Sequence, residues 1–255
     1  MANDSETGKG AGGRTGIGRW LSVLRLTAAS LALVGIGFWL GVRFGAPGGQ
    51  SGRTEAPDLG AAPSYSLTDQ AGRTVTSADF DGKVQVVTFL FPYCRTYCPL
   101  ITAHLVGFER LLEKAGATKQ VELVAFNLAP GDSGPKEMRT FLEQYGWKAG
   151  DRHWEFLTGS RKEIRRVVTK GFHVAYDRVP EGSADEDASD AQTPQPNVEN
   201  KLADKAKVDY DISHNDALMV VDATGRVRHI YDQADLLSNY DLWRAVRPLL
   251  PKEHS

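Results

Sequence analysis

Residues 84–99 read VQVVTFLFPYCRTYCP, and the architecture of the chain can be worked outward from them. Val84, Val86, Val87, Phe89, Leu90 and Phe91 form a nearly unbroken run of β-branched and aromatic residues. An unbroken apolar run, as opposed to an alternating one, suits a strand covered on both faces of a sheet. Pro92 cannot donate to a sheet ladder and ends the strand. A short loop then carries the only two cysteines of the chain, Cys94 and Cys98, and Pro99 stands where a helix can start. The spacing predicts a helix over residues 100–115, with Ile101, Leu105, Phe108 and Leu112 along one face. Two thiols are thereby expected between a buried strand and the positive end of a helix, where unpaired N–H groups favour a thiolate.

Bulk composition narrows the classes of function. The chain has 255 residues, 41% of them apolar and 24% charged, with 30 basic and 32 acidic side chains and a net charge of −2. Such a balance gives no electrostatic case for nucleic acid. Two cysteines are too few for a disulfide scaffold or a four-cysteine zinc site.

Residues 1–19, rich in Gly, Ser and Thr, read as a disordered cytoplasmic tail. Residues 20–42 read as a transmembrane anchor. Their uncharged core, LTAASLALVGIGFWLGV, is 17 residues long and lengthens if Arg25 snorkels to the interface. Trp20 and Trp39 lie near the two ends, where amphipathic rings favour the interface. A cleaved signal peptide is the rival reading; the apolar segment is long for one, and Gly41-Val-Arg-Phe is a poor cleavage motif. Arg14, Arg19 and Arg25 precede the uncharged core, a mild positive-inside bias that points to an N-terminus inside and the folded domain on the extracytoplasmic face of the plasma (inner) membrane. Residues 43–63, full of Gly, Pro and Ala, read as a flexible linker.

The folded domain is expected over residues 64–255. A hairpin turns at Asp69-Gln-Ala-Gly72, and the central strand, the cysteine loop and the long helix follow it. Residues 121–126 read as a strand, 134–145 as a helix, and 154–157 as a strand. Ser160 with Glu163 forms a capping box that opens a helix to Lys170. A second hairpin turns at Asp222-Ala-Thr-Gly225, and a terminal helix over residues 240–250 stops at Pro251. Strands alternating with helices, then a late hairpin, give an α/β fold with a mixed central sheet flanked by helices. A two-thiol loop between strand and helix in that order suggests the thioredoxin-like fold, with an extra N-terminal β-hairpin and one transmembrane helix before it. Residues 178–208 read as an acidic, solvated and mobile insertion, because residues 181–201 within them have almost no apolar side chain and are strongly acidic before their prolines.

Cysteines four apart on a helical first turn share a face and can converge. Two soft thiolates suit Cu(I) or a disulfide far better than a hard cation, and a third ligand would have to come from elsewhere. Of the six histidines, His254 lies in the tail, His229 in an outer strand, and His153 and His173 beside surface elements. His104 follows Cys98 on the helix and suits a supporting role. His214 lies in Asp209-Tyr-Asp-Ile-Ser-His-Asn215, just before an expected core strand, where a loop can return to the cysteine edge of the sheet.

FLFPYCRTYCP, then WEFLTGSRKEI, then DYDISHNDALMVVDATGRV, resembles the Sco (SenC) family of membrane-anchored copper chaperones. The resemblance implies a thioredoxin-like domain that binds copper, as Cu(I) or Cu(II), through two cysteines of a CxxxCP motif and one distant histidine. Those positions fall on Cys94, Cys98 and His214, with Pro99 also matching. It further implies delivery of copper to the binuclear copper site of cytochrome c oxidase, or maintenance of that site's thiols. The implied partners are the copper-bearing oxidase subunit or another copper chaperone. The chain departs from the family in two places. Arg95-Thr96-Tyr97 replaces the usual Pro-Asp-containing segment between the cysteines, and Asn127 stands where an aspartate is usual after the second core strand. The other readings are an extracytoplasmic thiol–disulfide oxidoreductase, with Cys94 and Cys98 redox-active, a peroxidase, and a structural disulfide.

Overall fold

The computed structural model describes residues 56–148, 153–180 and 199–251. The predicted tail and anchor and most of the predicted linker lie outside these residues. Among the described residues no helix is long and apolar enough to cross a membrane.

The domain opens with the expected hairpin, β1 (Ser66–Thr68) against β2 (Thr74–Thr76). Its turn is closed by Asp69, whose Oδ1 accepts the N–H groups of Ala71 at 2.8 Å and Arg73 at 2.7 Å. An acceptor with that reach folds the backbone back on itself. The central strand β3 (Val84–Leu90) is buried at all seven positions, as its unbroken apolar run requires. It pairs in parallel with β4 (Val121–Asn127), Val84 opposite Val121 and Leu90 opposite Asn127. β4 pairs in parallel with β5 (Trp154–Leu157). On its other edge β3 runs antiparallel to β8 (Leu218–Val221), which pairs antiparallel with β9 (Val227–Tyr231). The five-stranded order is therefore β5-β4-β3-β8-β9. The mixed α/β sheet expected from the sequence is present.

Between β3 and β4 runs α1 (Tyr97–Ala115), with Ile101, Leu105, Phe108 and Leu112 buried on the expected face. It starts three residues earlier than predicted, because a proline is tolerated in a first helical turn and Pro99 sits there. Gly116 ends it at φ 67°, a left-handed value that glycine adopts without steric cost. α2 (Pro135–Glu143) follows β4. α3 (Arg161–Arg165) opens at Ser160, whose hydroxyl accepts the Glu163 N–H at 3.1 Å, and widens into a π-helical turn, Arg166–Gly171. The last helix, α5 (Asn239–Val246), packs on α1.

Three elements depart from the sequence expectation. β6 (Tyr176–Pro180), α4 (Lys201–Ala206) and β7 (Tyr210–His214) fall within or beside the stretch read as a mobile insertion. β6 and β7 pair antiparallel as a separate ribbon, with Tyr176 opposite His214 and Pro180 opposite Tyr210. β6 is mostly exposed, so no hydrophobic period announces it. β7 alternates, burying Tyr210 and Ile212. Residues 181–198, the acidic part of the expected insertion, lie outside the described residues.

Candidate functional site

The chain leaves β3 at Leu90 and turns at once, with the Cys94 N–H donating to the Phe91 carbonyl at 3.0 Å. This turn ends the strand and delivers Cys94 to the mouth of α1. Cys98 is already in the first helical turn. Its backbone carbonyl accepts the Thr102 hydroxyl at 2.7 Å, and its sulfur accepts the Phe91 N–H at 3.5 Å. The strand end thus holds the second sulfur in place, and the two thiols hydrogen-bond each other.

That shared proton splits the pair. Cys98 donates to Cys94, which holds the Cys94 thiol below the usual range; the Thr96 hydroxyl, 3.4 Å from its sulfur, and the Cys98 N–H act in the same direction, against burial and the charge of Asp211. Cys98 is pushed well above the ordinary thiol range by the same hydrogen bond, then by burial and by the charge on Cys94. The two thiols are thus pushed in opposite directions, Cys94 down and Cys98 up. Both are free thiols, not the disulfide that their spacing also allows. Cys94 is 4% exposed and Cys98 0%, so the loop is not the open surface that ready ligand exchange suggests.

His214 closes β7 and is half-buried. Its Nδ1 lies 2.8 Å from the Asn215 carbonyl oxygen. A carbonyl only accepts, so Nδ1 carries the hydrogen and Nε2 keeps a free lone pair. Burial lowers the imidazole pKa and favours the neutral form, opposed by the hydrogen bond to Asn215. The charges of Asp211 and Asp216, which flank His214 in sequence, are felt at Cys94 and Cys98 respectively. The chain at the end of β7 therefore passes within electrostatic reach of the thiols. The structure brings Cys94 and Cys98 together; among the described residues no three His, Cys, Asp or Glu side chains are gathered closely enough to hold a metal ion. His214 is thus not drawn into a closed three-donor cluster. His104, on α1, has a buried Nδ1 without a hydrogen-bond partner.

Sequence reasoning missed a support of the loop. Asn200 is 1% exposed and donates from Nδ2 to the carbonyls of Pro92 at 2.9 Å and Cys94 at 2.8 Å. The available signal was an N-cap signature, Asn followed by the helix-forming Lys-Leu-Ala-Asp-Lys-Ala, hidden at the end of a polar run. Both departures from the resembled family also find their place. Arg95 pairs with Asp204 of α4 at 3.3 Å. Asn127, 0% exposed, donates to the Ser133 carbonyl at 2.9 Å and the Thr158 hydroxyl at 3.3 Å, and accepts the Ala129 N–H at 3.0 Å.

Comparisons with known proteins agree with this architecture. The chain is 30% identical over 119 residues to the SCO1 protein homolog of Bacillus subtilis, covering 46% of this chain and 59% of that relative's length. Among solved structures it resembles a SCO1/SenC family lipoprotein from Bacillus anthracis, with a TM-score of 0.57 and 21% identity over 75% of this chain and 96% of that one. It also resembles Bradyrhizobium japonicum ScoI with copper bound, with a TM-score of 0.56 and 20% identity over 75% and 100% of the two chains. At such identities these structures speak for the fold alone. The SCO1/SenC family model matches residues 53–194, which include both cysteines and stop short of His214. With that match spanning more than half its length, the chain belongs to the SCO1/SenC family.

Proposed function

We propose that this protein is a membrane-tethered, copper-binding assembly factor that carries copper as cargo to the binuclear site of cytochrome c oxidase or keeps the thiols of that site reduced. The observation that carries this reading is the thiol pair, free, hydrogen-bonded and seated at the positive end of α1. The donor set fits the metal. Cys94 and Cys98 offer two soft sulfurs suited to Cu(I), and His214 offers a neutral Nε2 that would help accommodate Cu(II). Loading would displace the proton shared by the thiols and would require β7 to bring His214 nearer to the sulfurs. A copper-bound family relative, ScoI of Bradyrhizobium japonicum, shares the fold and supports the reading. The apolar run of residues 20–42 supports an anchor, with the folded domain outside the inner membrane.

The asymmetry of the thiols favours a second reading, an extracytoplasmic thiol–disulfide reductase. The Cys94 thiolate would attack a partner disulfide and release one partner thiolate; Cys98, after losing its proton, would attack the mixed disulfide and release the second. The chain would be left with a Cys94–Cys98 disulfide and would need an external dithiol donor to reset. The test is copper stoichiometry on the full-length reduced chain against Cys94→Ser and His214→Ala. One copper per chain, lost from Cys94→Ser and weakened in His214→Ala, supports the carrier. No copper in the reduced wild type, with rapid exchange against a disulfide peptide, leaves the reductase.

A further inference from the structure

We propose that Asn200 is a positioning residue for the dithiol site, a clamp that fixes the loop in which the two sulfurs converge. Its carboxamide is used at both ends. Nδ2 bridges the carbonyls of Pro92 and Cys94, at 2.9 Å and 2.8 Å, on either side of Tyr93. Oδ1 accepts the N–H groups of Leu202 at 3.1 Å and Ala203 at 3.3 Å, which caps α4. A third donor reaches the same oxygen, the Gln144 amide just after α2 at 3.2 Å, while the Gln144 Oε1 accepts the Lys201 N–H at 3.0 Å.

These contacts do more than cap a helix. A serine or aspartate would cap α4 as well, since only an acceptor is needed there. Only an amide also donates two hydrogens to the loop. The bonded carbonyls belong to the turn that begins as β3 ends and delivers Cys94, and water cannot replace a donor that is 1% exposed. α4 holds the same loop at a second point through the Asp204–Arg95 pair. The cysteine loop is therefore fixed from outside its own strand and helix, by residues more than 100 positions later in the chain.

Asn200→Asp separates the two roles, because it keeps the capping oxygen and loses both donors to the loop. In the full-length chain we expect hydrogen exchange at the Cys94 amide to quicken about tenfold in this variant, with β3 and β4 amides unchanged. We expect Cu(I) affinity, read by competition with a chromophoric chelator, to fall about tenfold. A purely structural role would lower the midpoint of thermal unfolding and leave both readings as in the wild type, which would overturn the proposal. Faster exchange with unchanged copper affinity would overturn it equally, as the clamp would then not govern the site. The copper reading rests on the function proposed above. If the wild type binds no copper, that function falls, and the Cys94 exchange rate alone decides for or against the clamp. Should Asn200→Asp fold poorly, Asn200→Ser keeps a cap too short to bridge both carbonyls and takes the same two measurements.

Discussion

Cys98 donates a hydrogen bond to Cys94, four residues before it, and the two thiols carry opposite shifts as a result. Cys94 is held low by a donor that Cys98 supplies, so removing the donor should raise it. In Cys98→Ala the midpoint of the pH profile for Cys94 alkylation should move upward. Cys98→Ser, which keeps a hydroxyl donor, should restore part of the shift. A midpoint unmoved by Cys98→Ala would mean that Thr96 and the helix end suffice.

As the third ligand of the proposed site, His214 should stay neutral in mildly acidic solution. Burial lowers its pKa below the ordinary imidazole value of 6.5, so the neutral form persists as pH falls through that value. Because the thiols exchange protons for metal at every pH in this range, the histidine is read as a ratio: the advantage of the wild type over His214→Ala in Cu(II) affinity should hold through pH 6.5 and shrink below it. Titration of bound Cu(II) by absorption across this range checks both curves.

Glu155 makes stability depend on pH. It lies beside Arg73 and Asp69 at the edge of the sheet, and burial raises its carboxyl to about 7 from 4.5, against the attraction of Arg73. The folded form thus holds a proton that the unfolded chain releases. Its contribution is complete below pH 4.5 and is lost as pH rises to about 7. The whole effect is about 3 kcal/mol. Denaturant midpoints should fall over this window, and Glu155→Gln should flatten the fall.

Asn127 replaces the family's usual acid with an amide that uses both ends. Asn127→Asp would keep the acceptor for Ala129 but face the Ser133 carbonyl with a second acceptor, in a place without solvent. The expected loss is about 1–3 kcal/mol, read from urea unfolding. Unchanged stability would show that the loop relaxes around the acid.

Most of the sheet was legible because its strands obey simple patterns. The unbroken run of β3 implied burial on both faces, and Asp69 and Asp222 marked hairpins because each short side chain folds its own backbone. Asp222 does so by accepting the Thr224 N–H at 2.8 Å and the Arg226 N–H at 3.1 Å. The thiols were legible because strand, loop and helix are contiguous in sequence. What escaped was held by distant polar partners. β6 exposes most of its side chains and exists by pairing with β7, and Asn200 works through hydrogen bonds to a loop over 100 residues earlier. A hydrophobic period carries no trace of either. The SCO1/SenC resemblance was confirmed, while the histidine assigned from it lies beyond the matched residues and, among the described residues, outside any closed donor cluster.

Burial of the two sulfurs separates how tightly this protein would hold a cargo from how fast it would give it up. With Cys94 4% and Cys98 0% exposed, an incoming ligand cannot reach either atom from solvent until the loop opens. Release is therefore bounded by the opening rate of the loop, whatever the strength of the bonds inside. A recipient that pries the loop away from its supports would set its own delivery rate, and a chelator that waits for spontaneous opening would be slow.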